Sequence, residues 1–138
     1  MAKNPTLQDL EQHDWGEPTY DSYLVKTVHA LRRKPIAEFT VEDMRIMIGQ
    51  AVGVNHLIPL ALGHLERNAF VAGRFYPGDL LGVVLEVGSE YWRSHPTEAG
   101  RLKEVAAGAA AAMAQRKETD EIKDHLRALM AARPWNAA

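Results

Sequence analysis

The sequence predicts an all-α fold: a single-domain bundle of about six or seven short helices spanning residues 1–138. Three observations predict it. Apolar residues recur at helical spacing through most of the chain. Caps, glycines and prolines punctuate those stretches at short intervals, as helix starts and stops require. No alternating strand pattern of convincing length exists, and the best strand candidate, Gly82 to Val87, fits helical periodicity better.

Each element has its own signal. Thr6 and Asp9 have capping-box spacing, which predicts a short helix there. From His13 to Tyr20 the chain holds Trp15, Gly16 and Pro18, an ordered loop pinned by its aromatics. From Asp21 onward Leu24, Val28 and Leu31 share one helix face, and Pro35 ends it. Thr40 caps a third helix whose buried stripe is Val41, Met44, Met47 and Ile48, broken by Gly49 and Gly53. Asn55 or His56 is expected to cap the next, with Leu57, Ala61, Leu62 and Leu65 inward. Pro59 must then fall in its first turn or kink it. A turn at Gly73 and Phe75 to Asp79 leads into a helix carrying Leu80, Val84, Val87 and Tyr91. Pro96 opens a sixth, with Leu102, Val105, Ala106, Ala109 and Met113 on one side. Thr119 starts the last, with Ile122, Leu126 and Leu129 inward, and Pro134 ends it.

Composition narrows the function. A chain of 138 residues with 46% apolar and 25% charged residues is an ordinary globular domain. It has no cysteine, so disulfides and thiolate metal sites are excluded. A net charge of −2 gives no basic nucleic-acid footprint. The N-terminus lacks the apolar core of a secretory signal, and Val105 to Ala114 is too short to span a bilayer. The expected setting is the cytoplasm, with no membrane partner.

No catalytic constellation is visible, and the protein is expected not to be an enzyme and to need no cofactor. Ser22, Ser89 and Ser94 lie outside any nucleophile motif. None of His13, His29, His56, His64, His95 and His125 follows a glutamate by three residues, as a carboxylate-bridged metal bundle needs. Glu42, Asp43 and Asp79 sit where first-turn acids complement the helix dipole, and Arg32, Arg33 and Lys34 sit in a last turn. No catalytic, metal or cofactor residue is therefore assigned. Met44 to Leu65 also fits a helix-turn-helix DNA-binding regulator, the alternative reading. Against it, the second helix is apolar nearly all round after Asn55 and His56.

Five stretches together resemble one family. They are Val28–Pro35, Thr40–Gln50, Ile58–Leu62, Phe75–Leu81 and Tyr91–Trp92. Their order and spacing, with Met47-Ile-Gly-Gln50 followed by Tyr76-Pro-Gly-Asp79, are similar to the immunity proteins of bacterial contact-dependent growth inhibition systems. The region from His95 onward, with its alanine-rich helix, matches less well. The resemblance implies a cytoplasmic protein that binds the C-terminal toxin domain of a large surface effector and blocks it. It further implies that the toxin is a nuclease, with a ribonuclease the first expectation. The matching residues are caps, turns and core positions, so the resemblance itself supplies no binding residues.

Surface chemistry supplies them instead. A toxin that binds RNA presents a basic cleft, and acidic residues complement it and speed encounter. The expected toxin-binding residues are Asp14, Glu17, Asp21, Glu86 and Glu90, with Trp15 and Tyr20 as aromatic anchors.

Overall fold

Helix punctuation in the sequence becomes chain direction in the computed structural model, which describes residues 4–19, 22–116 and 121–136. The α-helices are α1 (Leu7–Glu11), α2 (Tyr23–Arg32), α3 (Val41–Gly49), α4 (Val54–Arg67), α5 (Asp79–Leu85), α6 (Ser89–Ser94), α7 (Pro96–Arg116) and α8 (Glu121–Ala131). Short 3-10 turns follow at Ile36–Glu38 and Pro134–Asn136. The fold is all-α, and among the described residues no strand forms. The predicted stretch from Leu80 to Tyr91 is two helices, because the chain turns extended at Gly88 before α6.

Both predicted capping boxes form. Asp9 N–H donates to Thr6 Oγ1 at 3.1 Å while Thr6 N–H donates to the Asp9 carboxylate. Thr40 and Asp43 repeat the arrangement at the start of α3. Each box satisfies two amides that a helix start leaves without partners.

The cap of α4 differs from expectation. It is Gly53, in the left-handed conformation at φ 68°, so Asn55 and His56 lie inside the helix. A Cβ on Gly53 would lie 2.6 Å from the fully buried Leu7 side chain. Glycine therefore serves twice there, turning the chain and letting α1 dock against the α3–α4 turn. Pro59 falls inside α4 rather than in its first turn. The carbonyl it leaves without a helical donor belongs to Asn55, an exposed residue.

The core runs through the middle of the bundle. α3 packs on α2, α4 and α5, while α7 covers α4 and α5 contacts α8. Met47, Leu57, Ile58, Leu62, Leu80 and Leu102 are completely buried within it. All five residues predicted for the inner face of α7 are buried, Ala106 and Ala109 allowing close approach of the neighbouring elements. On α2, Val28 and Leu31 are buried as predicted, but Leu24 is 42% exposed. The predicted start of the last helix at Thr119 and the side chain of Ile122 lie outside the described residues.

Candidate protein-binding face

Ser22 starts α2, its hydroxyl accepting from Val25 N–H at 3.0 Å. The register this sets turns Tyr23 and Leu24 outward. Tyr23 is 72% exposed, and with Leu24 and Trp15 it accounts for three of the five exposed large hydrophobics among the described residues. Trp15, Leu24, Val25, Val28 and His29 line an open groove of about 300 Å³ together with Gln50 and Val52 of the α3–α4 turn. Large exposed apolar side chains gathered round one groove mark a protein-binding surface, whereas scattered ones do not.

The Trp15 loop is held from below. The Arg32 guanidinium lies under the indole, and its side chain also pairs with Glu11 and donates to the His13 carbonyl at 2.6 Å. His29 meets the indole edge-on with ring centres 5.3 Å apart and contacts the Gly16 carbonyl. Arg33 donates to Glu17 at 3.1 Å and to the Gly16 carbonyl at 2.9 Å, with Asp14 at 3.9 Å. The basic run at the end of α2 therefore fastens the N-terminal loop. Lys34 completes it, donating to Asp43 at 2.7 Å.

The predicted site residues fall in two groups. Asp14, Trp15 and Glu17 lie together in the loop beside the groove, their carboxylates exposed; both face the exposed Arg33, and Asp14 also accepts from Gly16 N–H at 2.7 Å. Such pairs are screened and weak, so a partner cation competes readily for either acid. Glu86 lines a second, smaller groove with Gly49, Ala51 and Val83, and its carboxylate is 3.6 Å from His125 Nε2. Glu90 is exposed at the start of α6. The α3–α4 turn separates the groups, its alternate residues lining one groove and then the other. Tyr20 and Asp21 lie outside the described residues. Tyr23, Leu24 and His29 were missed. Leu24 sits at a core-like spacing from Val28, and periodicity alone cannot tell an apolar residue facing a neighbour from one left uncovered.

A second polar cluster lies on the other side of α3. Asp79, only 2% exposed, accepts from Gly73 N–H at 2.6 Å, Phe75 N–H at 3.1 Å and Tyr76 N–H at 3.5 Å. Arg45 donates two bonds of 2.6 Å to Glu42 and stands 3.8 Å from Asp79. Its hydrogen bonds hold the Glu42 carboxyl below its ordinary pKa, with the Arg74 amide adding to the effect. The first-turn role expected for Asp79 and Glu42 is thus the smaller part of what they do: both carboxylates order the loop before α5.

α3 and α4 are consecutive helices joined by a short turn, but α4 buries Leu57, Ala61 and Leu65. Its outer side carries exposed Leu60 and Glu66, and Glu66 is clamped by two Arg101 hydrogen bonds of 3.0 and 2.7 Å. A base-reading helix needs a row of free donors, whereas Leu60 and Glu66 separate the exposed Asn55 from Arg67, whose Nε already donates to the Gly63 carbonyl. A further groove, about 460 Å³ between α7, α8 and Trp135, is lined by alanines, Met130 and three basic residues. Among the described residues, no group of three histidines and carboxylates stands at metal-ligand distance. Among the described residues, no helix is long and apolar enough to cross a membrane.

No curated protein and no solved structure matches the chain. A family model does: that of the CDI immunity proteins, over residues 9–102. The match takes in the Trp15 loop, α2 to α6, the Asp79 loop and the start of α7, and leaves α8 outside it. With well over half its length matched, the chain belongs to the CDI immunity proteins, the immunity partners of contact-dependent growth inhibition.

Proposed function

We propose that this protein neutralises a toxin by binding it, in the cytoplasm and without a reaction of its own. Its partner is the C-terminal toxin domain of the cognate contact-dependent growth inhibition effector, and that domain is a nuclease, a ribonuclease in the first instance. The observation carrying this reading is the face around Trp15. The exposed Trp15 and Leu24 line one groove, and the carboxylates of Asp14 and Glu17 stand in the same loop as Trp15. Interfaces take this form, with apolar and aromatic anchors at the centre and a charged rim. The acids match a cleft that binds a polyanion, and so favour fast encounter and rejection of wrong partners.

Co-expression tests the proposal. Cells making the toxin domain of the effector encoded directly upstream are expected to survive only with this protein present. Loss of cellular RNA, rather than DNA, is expected when it is absent. Cells that die equally with and without the protein would end the proposal.

A further inference from the structure

The loop before α5 is built as a rigid mount. An isolated antiparallel bridge between Ala72 and Pro77 closes its base. Three of its amides converge on buried Asp79, and a fourth, Arg74 N–H, donates to Glu42 at 2.9 Å. A Cβ on Gly73 would lie 2.6 Å from the Glu42 carboxylate, so the chain is pressed against its anchors. Burying a carboxylate is costly unless hydrogen bonds replace its water. That cost supports no core packing here. It orders a surface loop whose tip, Phe75, is 67% exposed, with the Arg45 guanidinium 4.3 Å from its ring centre. An exposed phenylalanine immobilised in advance loses little further entropy on binding, which is the property of an interface anchor.

Resting on the immunity reading above, we propose that Phe75 is a preorganised anchor that inserts into the toxin domain. The recess it fits is apolar and ring-sized, with carboxylates at its mouth facing the exposed Arg74. Asp79, Glu42 and Arg45 are its positioning residues.

The test uses the full chain and the catalytically inactivated toxin domain of the upstream effector, with Kd and rates measured by surface plasmon resonance. Phe75→Ala is expected to raise Kd at least tenfold, mostly through faster dissociation, with the circular dichroism spectrum and Tm unchanged. Arg74→Glu is expected to raise Kd at least tenfold through repulsion. Asp79→Asn is expected to weaken binding by loosening the loop, and to add little to Phe75→Ala in the double variant. A Phe75→Ala protein binding within twofold of wild type overturns the proposal while leaving the immunity reading intact. Wild type failing to bind overturns both. Full additivity of Asp79→Asn and Phe75→Ala removes the positioning role.

Discussion

The guanidinium of Arg32 lies 4.3 Å from the centre of the Trp15 ring, and Arg32 itself is only 2% exposed. A buried cation thus supports an exposed aromatic, and Glu11, a residue of α1, neutralises the cation from the far side. The chain of contacts runs from α1 through α2 to the loop, so the Trp15 surface inherits the stiffness of two helices.

Removing Glu11 is expected to be felt at that surface. Glu11→Gln leaves the buried Arg32 cation without its neutralising charge, with only neutral oxygens, the amide at position 11 and the His13 carbonyl, to accept from it. Breaking a fully buried pair costs ~3–5 kcal/mol. Glu11 is a third exposed, so a loss of ~2 kcal/mol is expected. Urea denaturation measures it, and hydrogen exchange is expected to speed up in residues 13–17. A stability unchanged within error would mean that Arg32 does not depend on this carboxylate.

Gly53→Ala tests the turn between α3 and α4. Left-handed backbone at a residue with a Cβ costs roughly 1–2 kcal/mol. Overpacking against Leu7 adds about 1–3 kcal/mol. The urea midpoint is expected to fall accordingly while the slope of the transition stays the same. A fall below about 0.5 kcal/mol would mean that Leu7 yields freely, against its complete burial.

Tyr91 gives a prediction of opposite sign. Its hydroxyl is buried with no hydrogen-bond partner among the described residues, although its ring stacks on His95 with centres 4.0 Å apart. Burial pushes the phenol pKa up to about 12. Tyr91→Phe removes an unsatisfied polar group and keeps the stack, so stability is expected to hold or rise by up to about 1 kcal/mol. Because the folded pKa is raised, wild-type stability is full below pH 10 and is lost as pH rises toward 12. The phenylalanine variant is expected to lack that part of the alkaline loss. A clear destabilisation at pH 7 would show that the hydroxyl has a partner.

Glu42 governs the acid side. Its folded pKa is lowered, chiefly by Arg45, so its contribution is present above the ordinary value of 4.5 and is lost as pH falls through the folded value. Stability measured between pH 7 and pH 2 is expected to drop more steeply below that point in wild type than in Glu42→Gln. Parallel pH curves would contradict the Arg45–Glu42–Arg74 linkage.

Most of the fold was legible in the sequence, because helix caps and apolar spacing are local signals. Thr6 and Thr40 announced their helices, and the α7 stripe from Leu102 to Met113 was buried as its spacing predicted. The misses are tertiary. Gly53 caps α4 because Leu7, far away in the chain, needs the room. Asp79 reads as a first-turn acid, and only the folded loop shows three amides converging on it. Of the candidate face, the charge and aromatic content of Asp14, Trp15 and Glu17 were visible in the sequence, and the structure places them in one loop. Tyr23 and Leu24 were not, since exposure depends on which helix fails to cover them.

The face around Trp15 is tested by paired substitutions. Trp15→Ala and Leu24→Glu remove the anchor and charge the groove, and each is expected to weaken toxin binding by ~2 kcal/mol or more, the scale of an interface hot spot. Both side chains are exposed, so the melting temperature is expected to change little for Leu24→Glu. Unchanged affinity in both variants would move the interface elsewhere on the protein.

Isothermal titration of the purified chain into the toxin domain of the upstream effector addresses the central claim most directly. One-to-one binding with a nanomolar Kd, accompanied by loss of the toxin's nuclease activity at equimolar protein, is the predicted result (~12 kcal/mol of binding free energy). No binding, or binding that leaves the toxin fully active, would contradict it.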